Sequence, residues 1–166
     1  GYGMSPEQVQ QYRSLIKKVI TTMGMYSKEA EDLILGTGLY ESRYRYIRQI
    51  GSGIAKSFWQ VEVATAQDNI NSYLKYRQSR ARLCASAALV PVQYVAVGIK
   101  DEEVGDMLEA NIAYGIMHCR LKYYRVPKKL PSDLEGQAAY YKKYYNSAHG
   151  KAKEEEYIEQ YKEAIL

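Results

Sequence analysis

The stretch Ser27-Lys28-Glu29-Ala30-Glu31-Asp32-Leu33-Ile34-Leu35-Gly36-Thr37-Gly38-Leu39-Tyr40-Glu41-Ser42 decides how the chain is read. Ser27 is a helix-capping residue, and Ala30, Leu33, Ile34, Thr37 and Glu41 follow at spacings of three and four, which places them on one face of a helix. A carboxylate is therefore expected in line with an apolar stripe, at the end of the helix. Such a carboxyl loses hydration, and loss of hydration favours its neutral, proton-donating form. A solvated glutamate, or one paired with Arg43, Arg45 or Arg48, is the plainer alternative.

Upstream, Ser5-Pro6 supplies a cap and a first-turn proline, and Val9, Tyr12, Ile16, Val19, Ile20 and Met23 recur at helical spacing up to Gly24. Downstream, residues 42–60 change to Arg/Tyr alternation and then Gly51-Ser52-Gly53, which predicts a loop or short β-like insertion. A third helix is expected from Thr65, with Asp68 completing an approximate capping box. Residues 79–99 are apolar around Pro91, which should end one helix and admit another. Asp101 is expected to cap one long helix carrying Val104, Leu108, Ile112, Gly115, Ile116 and Cys119, ending before Pro127, with Gly115 admitting a close helix neighbour. Ser132-Asp133-Leu134-Glu135 reads as a capping box opening a tyrosine-rich helix. Gly150 then precedes a charged helix from about Glu154 to Ile165.

The 166 residues fit one domain, spanning 1–166, and the 46% hydrophobic and 25% charged content is that of a globular chain. The expected fold is predominantly α, with one irregular insertion. No apolar run approaches the ~20 residues that a membrane-crossing helix needs, and no basic-then-apolar leader opens the sequence. Cys84 and Cys119 are too few and too far apart for a disulfide framework or zinc site, and His118 and His149 cannot build a histidine-rich metal centre.

Eighteen tyrosines stand against one phenylalanine and one tryptophan. Tyrosine suits surfaces that stack on sugars or bases, and equally suits amphipathic packing at helix rims. From Arg43 to Arg82, eight basic residues face two acidic ones, a local excess of six positive charges that favours an anionic polymer.

Four fragments occur in order between residues 41 and 146. They are Glu41-Ser42; Ala55 through Gln60-Val61 to Ala64-Thr65-Ala66; Asn111-Ile112-x-x-Gly115; and Tyr145-Asn146. Together they resemble the lysozyme-like lytic transglycosylases, whose Glu-Ser is followed by Gly-Ala-x-Gly-Leu-Met-Gln-Val-Met-Pro-Ala-Thr-Ala, an Asn-Ile-x-x-Gly helix and Ala-Tyr-Asn-Ala-Gly. The chain departs from that pattern at Ile54 and Ser57 (glycine in the family), Phe58-Trp59 (Leu-Met), Glu62 (methionine), Val63 (proline) and Ser147-Ala148 (Ala-Gly).

The resemblance implies an α+β lysozyme-like fold and cleavage of the β-1,4 bond between N-acetylmuramic acid and N-acetylglucosamine in peptidoglycan. It implies Glu41 as catalytic acid and base, with no metal or cofactor required, and Tyr145 orienting the Glu41 carboxyl through its hydroxyl. Ser42, Gln60 and Asn146 would contact substrate. Glu62, if it reaches the cleft, would serve as the base of a hydrolytic muramidase instead. The implied partners are glycan strands and, since such domains occur in tailed-phage particles, other virion proteins. Delivery in a particle or release to the wall would then replace a leader. A non-catalytic glycan-binding virion module is the alternative within the same fold. A nucleic-acid-binding helical domain, suggested by the Arg/Tyr interleaving, ranks last because no nucleic-acid motif accompanies it.

Overall fold

A computed structural model of the chain describes residues 4–51, 53–146 and 152–165. Among these the protein is predominantly helical, with eight α-helices: α1 (Pro6–Thr22), α2 (Lys28–Ser42), α3 (Val63–Ser72), α4 (Gln78–Ala88), α5 (Asp101–Ala110), α6 (Ile112–Tyr124), α7 (Leu134–Tyr144) and α8 (Glu154–Ile165). Single 3-10 turns at Leu74–Tyr76 and Val92–Val95 join α3 to α4 and follow α4.

The first two helices form as their capping signals require. The Ser5 hydroxyl accepts from the backbone N–H of Gln8 and the Gln8 side-chain oxygen accepts from the Ser5 N–H, while the Ser27 hydroxyl accepts from the backbone N–H of Ala30. Arg13 of α1 clamps α2 through Glu31 and Asp32, at 2.7 and 2.5 Å, and Glu31 is itself buried. This pairing is what makes a buried glutamate tolerable at that position.

Helix α6 is the centre of the molecule. It packs against α1, α2, α3, α4 and α5. It is apolar nearly all round, with Tyr114, Ile116, Met117, Cys119, Leu121 and Tyr123 buried. Its one histidine, His118, is fully buried and accepts from the Asn69 amide at 3.1 Å, so burial drives its pKa down to about 3 and keeps the ring neutral. Both cysteines are buried free thiols, and burial raises each to about 12.

Several boundaries differ from the sequence expectation, each for a local reason. Helix α3 starts at Val63, two residues early, with Glu62 as its N-cap. The long helix expected from Asp101 is two helices, because Asn111 takes an extended conformation (φ −118°, ψ 105°). There its side chain caps the Tyr114 amide at 2.9 Å and bonds the Ala88 carbonyl at 3.0 Å. Asp101 lies inside the first turn of α5, behind Lys100 at the N-cap. Asp133, not Ser132, caps α7, accepting from the Gly136 amide. After α4 ends at Ala88 and Leu89 turns left-handed (φ 59°), Pro91 is followed by only a 3-10 turn. Gly150, together with Ser147, Ala148 and His149, lies outside the described residues.

The β-like insertion reduces, among the described residues, to two isolated antiparallel bridges, Arg48 with Lys56 and Lys56 with Val61. What fixes this segment is side-chain anchoring. The Trp59 indole donates to the Ile34 carbonyl at 2.9 Å and the Tyr44 hydroxyl to the Leu35 carbonyl at 2.7 Å, both on α2. Gly115 admits this loop, not a second helix: a Cβ there would stand 2.8 Å from Cβ of Ser57 and 3.2 Å from the Trp59 ring.

Candidate active site

Glu41 occupies the last turn of α2, where the apolar stripe that carries it meets the loop 43–61. Burial raises its pKa above the usual carboxylate value. The bond from the Tyr141 hydroxyl, the positive charge of Lys122 and a bond from the Asn146 amide oppose that rise, in decreasing order. The carboxyl is thus both dried and held: its Oε2 accepts from the Tyr141 hydroxyl, contributed by α7. Of the arginines that follow it, Arg48 pairs with Glu109.

Two lobes of a cleft meet at Glu41, Gln49 and Gln60. One, of about 390 Å³, is walled by Tyr40, Arg43, Arg45 and Tyr46. The other, of about 580 Å³, is walled by Glu62, Thr65, Lys122, Tyr145 and Asn146. Each has the size of a small-molecule site, roughly 300–1,000 Å³. Together they form a trench with the carboxyl at its waist.

The backbone around that waist is strained. Of the five non-glycine residues with positive φ among the described residues, four lie here: Arg43 (54°), Tyr44 (56°), Ser57 (71°) and Gln60 (49°). Such conformations cost on the order of 1 kcal/mol each and persist only where the surroundings over-determine them. Here the Tyr44 and Trp59 anchors and the paired bonds between Lys56 and Val61, at 2.9 and 2.7 Å, do so.

Of the six residues singled out from the sequence, five wall the cleft beside Glu41, but two in a different role from that expected. Tyr145 does not orient Glu41. Its hydroxyl donates to the Trp59 carbonyl at 2.5 Å, because its position at the end of α7 points it under the loop. Tyr141, one helical turn earlier, reaches the carboxyl in its place. Ser42 is buried, and its hydroxyl is committed twice, donating to the Gly38 carbonyl and accepting from the Tyr44 amide, each at 3.1 Å. It shapes the turn that leaves α2 and has little left to offer a ligand.

Gln60 borders both lobes, with its amide donating to the Ser57 carbonyl at 2.9 Å. Glu62 stands exposed on the wall of the larger lobe at the start of α3. Asn146 gives its amide to Glu41 and Tyr141, and among the described residues its buried Oδ1 has no hydrogen-bond partner. A buried acceptor left open beside a carboxyl is a position for a ligand hydroxyl or amide.

Sequence reading missed two residues of the site. Tyr141 shares a helix face with Tyr145 at a spacing of four, the one signal that could have found it. Lys122 lies one turn beyond Cys119 on helix α6, which also carries Arg120, and burial lowers its pKa. Among the described residues eight tyrosines are buried, and Tyr123, Tyr145, Tyr141 and Tyr157 stack in a column with centroids 5.1 to 5.8 Å apart. For these, packing and not ligand stacking explains the composition.

Among the described residues no group of three His, Cys, Asp or Glu side chains could hold a metal ion, and no helix is long and apolar enough to cross a membrane. The arrangement can deliver one proton from a dried carboxyl to an oxygen bound in the trench, and take one back. No protein-family model, curated protein or solved structure matches the chain.

Proposed function

We propose that this protein is a lysozyme-like, peptidoglycan-cleaving glycosidase of the lytic transglycosylase type. The observation that carries the reading is the Glu41 carboxyl, shifted toward its neutral form by burial and gripped by Tyr141 and Asn146, at the waist of a two-lobed trench. Further support comes from its place at the end of a helix packed on a buried central helix, and from the order of Glu41-Ser42, Gln60-Val61 and Tyr145-Asn146 along the chain.

In this reading the glycan lies along the trench with the scissile oxygen over Glu41. The carboxyl gives its proton to that oxygen, the muramyl C1–O bond breaks, and positive charge develops at C1 and the ring oxygen. The resulting carboxylate, steadied by the Tyr141 hydroxyl and the Lys122 charge, then takes the proton of the muramyl C6 hydroxyl as its oxygen bonds to C1. A 1,6-anhydro end forms and Glu41 returns to its starting state.

Glu62 favours a second outcome, because it walls the same lobe as Glu41. A carboxylate opposite the acid activates a water in inverting glycosidases. The product then carries a reducing end.

Mass spectrometry of muropeptides released from purified sacculi tests both. Anhydro-muramyl ends are expected from the wild type and none from Glu41→Gln. Reducing ends would move the assignment to a muramidase, and intact sacculi with a folded protein would overturn the proposal.

A further inference from the structure

Lys122 is a half-buried ammonium that has no counter-ion among the described residues. Ion pairs join Arg13 and Lys28 to Glu31 and Asp32, Arg48 and Lys56 to Glu109, and Arg125 to Asp68. No described carboxylate comes within ion-pair distance of Lys122. Its Nζ donates to the Tyr145 carbonyl at 2.8 Å and sits 4.3 Å from the centroid of the Tyr145 ring. These contacts hold the head group in place but supply no negative charge.

A cation partly withdrawn from water is normally paired, because desolvation penalises the charged form. Lys122 keeps its position on the wall of the larger lobe, the one that also holds Asn146. The charged and titratable groups that act on it are Glu41 from α2, Glu62 from the start of α3 and the Cys119 thiol of its own helix. Of these, Glu41 is engaged by Tyr141 and Glu62 faces solvent. An ammonium has three donors, and a ligand carboxylate in the lobe would satisfy those that Tyr145 leaves.

We propose that Lys122 binds a carboxylate of the substrate in the larger lobe, so that the trench selects glycans bearing an acidic substituent over neutral ones. The assignment rests on the glycan-cleaving reading above and adds to it a basis for substrate choice. On a muramyl strand the carboxylate is the lactyl group where no peptide is attached, and a peptide carboxylate where one is.

The test measures binding to the inactive Glu41→Gln full-length protein by calorimetry. The ligands are peptide-free muramyl glycan strands, the same strands with lactyl carboxylates converted to methyl amides, peptide-bearing strands, and a chitin hexasaccharide. The carboxylate strands are expected to bind at least roughly tenfold tighter than their amidated counterparts, an advantage that shrinks with added salt. In the double variant with Lys122→Met the preference is expected to vanish, and with Lys122→Arg to return. A preference among peptide-free strands identifies the lactyl source, and one confined to peptide-bearing strands identifies the peptide.

Equal binding of free and amidated strands, with peptide-bearing strands no tighter, overturns the Lys122 assignment while leaving glycan cleavage intact. The amidated ligand keeps that outcome readable even if the methionine variant fails to fold. Absence of binding to every glycan overturns both readings.

Discussion

The Tyr141 hydroxyl donates to Oε2 of Glu41 across a hundred residues of chain, joining the penultimate residue of α2 to the last turn of α7. The bond opposes the burial that raises the carboxyl's pKa, and the carboxyl in turn raises that of Tyr141, after burial itself. Two groups that each resist ionisation therefore share one proton-rich contact in the waist of the trench.

Tyr141→Phe and Tyr145→Phe should fail in different ways. Loss of the Tyr141 hydroxyl removes the largest influence holding the Glu41 pKa down, so the alkaline limb of the pH–rate profile is expected to move upward while kcat falls. Loss of the Tyr145 hydroxyl strands the Trp59 carbonyl, at about 1–3 kcal/mol of stability, without moving that limb. Urea melts and pH–rate profiles of the two variants separate these effects, and identical behaviour would refute the distinction.

Glu41→Gln should stabilise the protein relative to wild type, and more so as pH rises. A carboxyl whose folded pKa lies above its unfolded value holds its proton longer in the folded state. Stability is then complete below the unfolded pKa and lost as pH rises toward the folded one, at up to about 1.4 kcal/mol per pH unit. Thermal melts between pH 4 and 8 should show the two curves diverging; parallel curves would mean that Glu41 is not desolvated.

His118 has the opposite sign. Its folded pKa of about 3 lies below the ordinary value, so its contribution is intact above about pH 6.5 and is lost as pH falls toward 3. We expect acid destabilisation to begin in that window and His118→Gln to flatten it. An unchanged slope in the variant would assign the acid transition to other groups.

Gly38→Ala should uncouple the loop from α2. A Cβ at position 38 would meet the Tyr44 hydroxyl at 2.4 Å, and Tyr44 is the side chain that pins the left-handed turn to the Leu35 carbonyl. A loss of about 1–3 kcal/mol is expected, with glycan cleavage falling further than stability. Full activity in a stable Gly38→Ala protein would show that the turn does not position the site.

The helical content was legible from local chemistry. Ser5, Ser27 and the apolar spacings behind them specify α1 and α2, since capping and face periodicity act within a few residues. The same local logic placed Glu41 on a stripe that turned out to be dry. It could not foresee Asn111, where a side chain that bonds both the Tyr114 amide and the distant Ala88 carbonyl breaks one expected helix into two. Nor could it choose between Tyr141 and Tyr145: both lie on one face of α7, and which hydroxyl meets Glu41 depends on how that helix abuts α2 and on Trp59 claiming the other. Lys122 was invisible for the same reason, because whether a lysine on an apolar helix finds a counter-ion is settled by residues far away in the chain. Periodicity and capping are short-range and written in adjacent residues, whereas burial, charge pairing and the shape of the trench exist only once distant segments have packed.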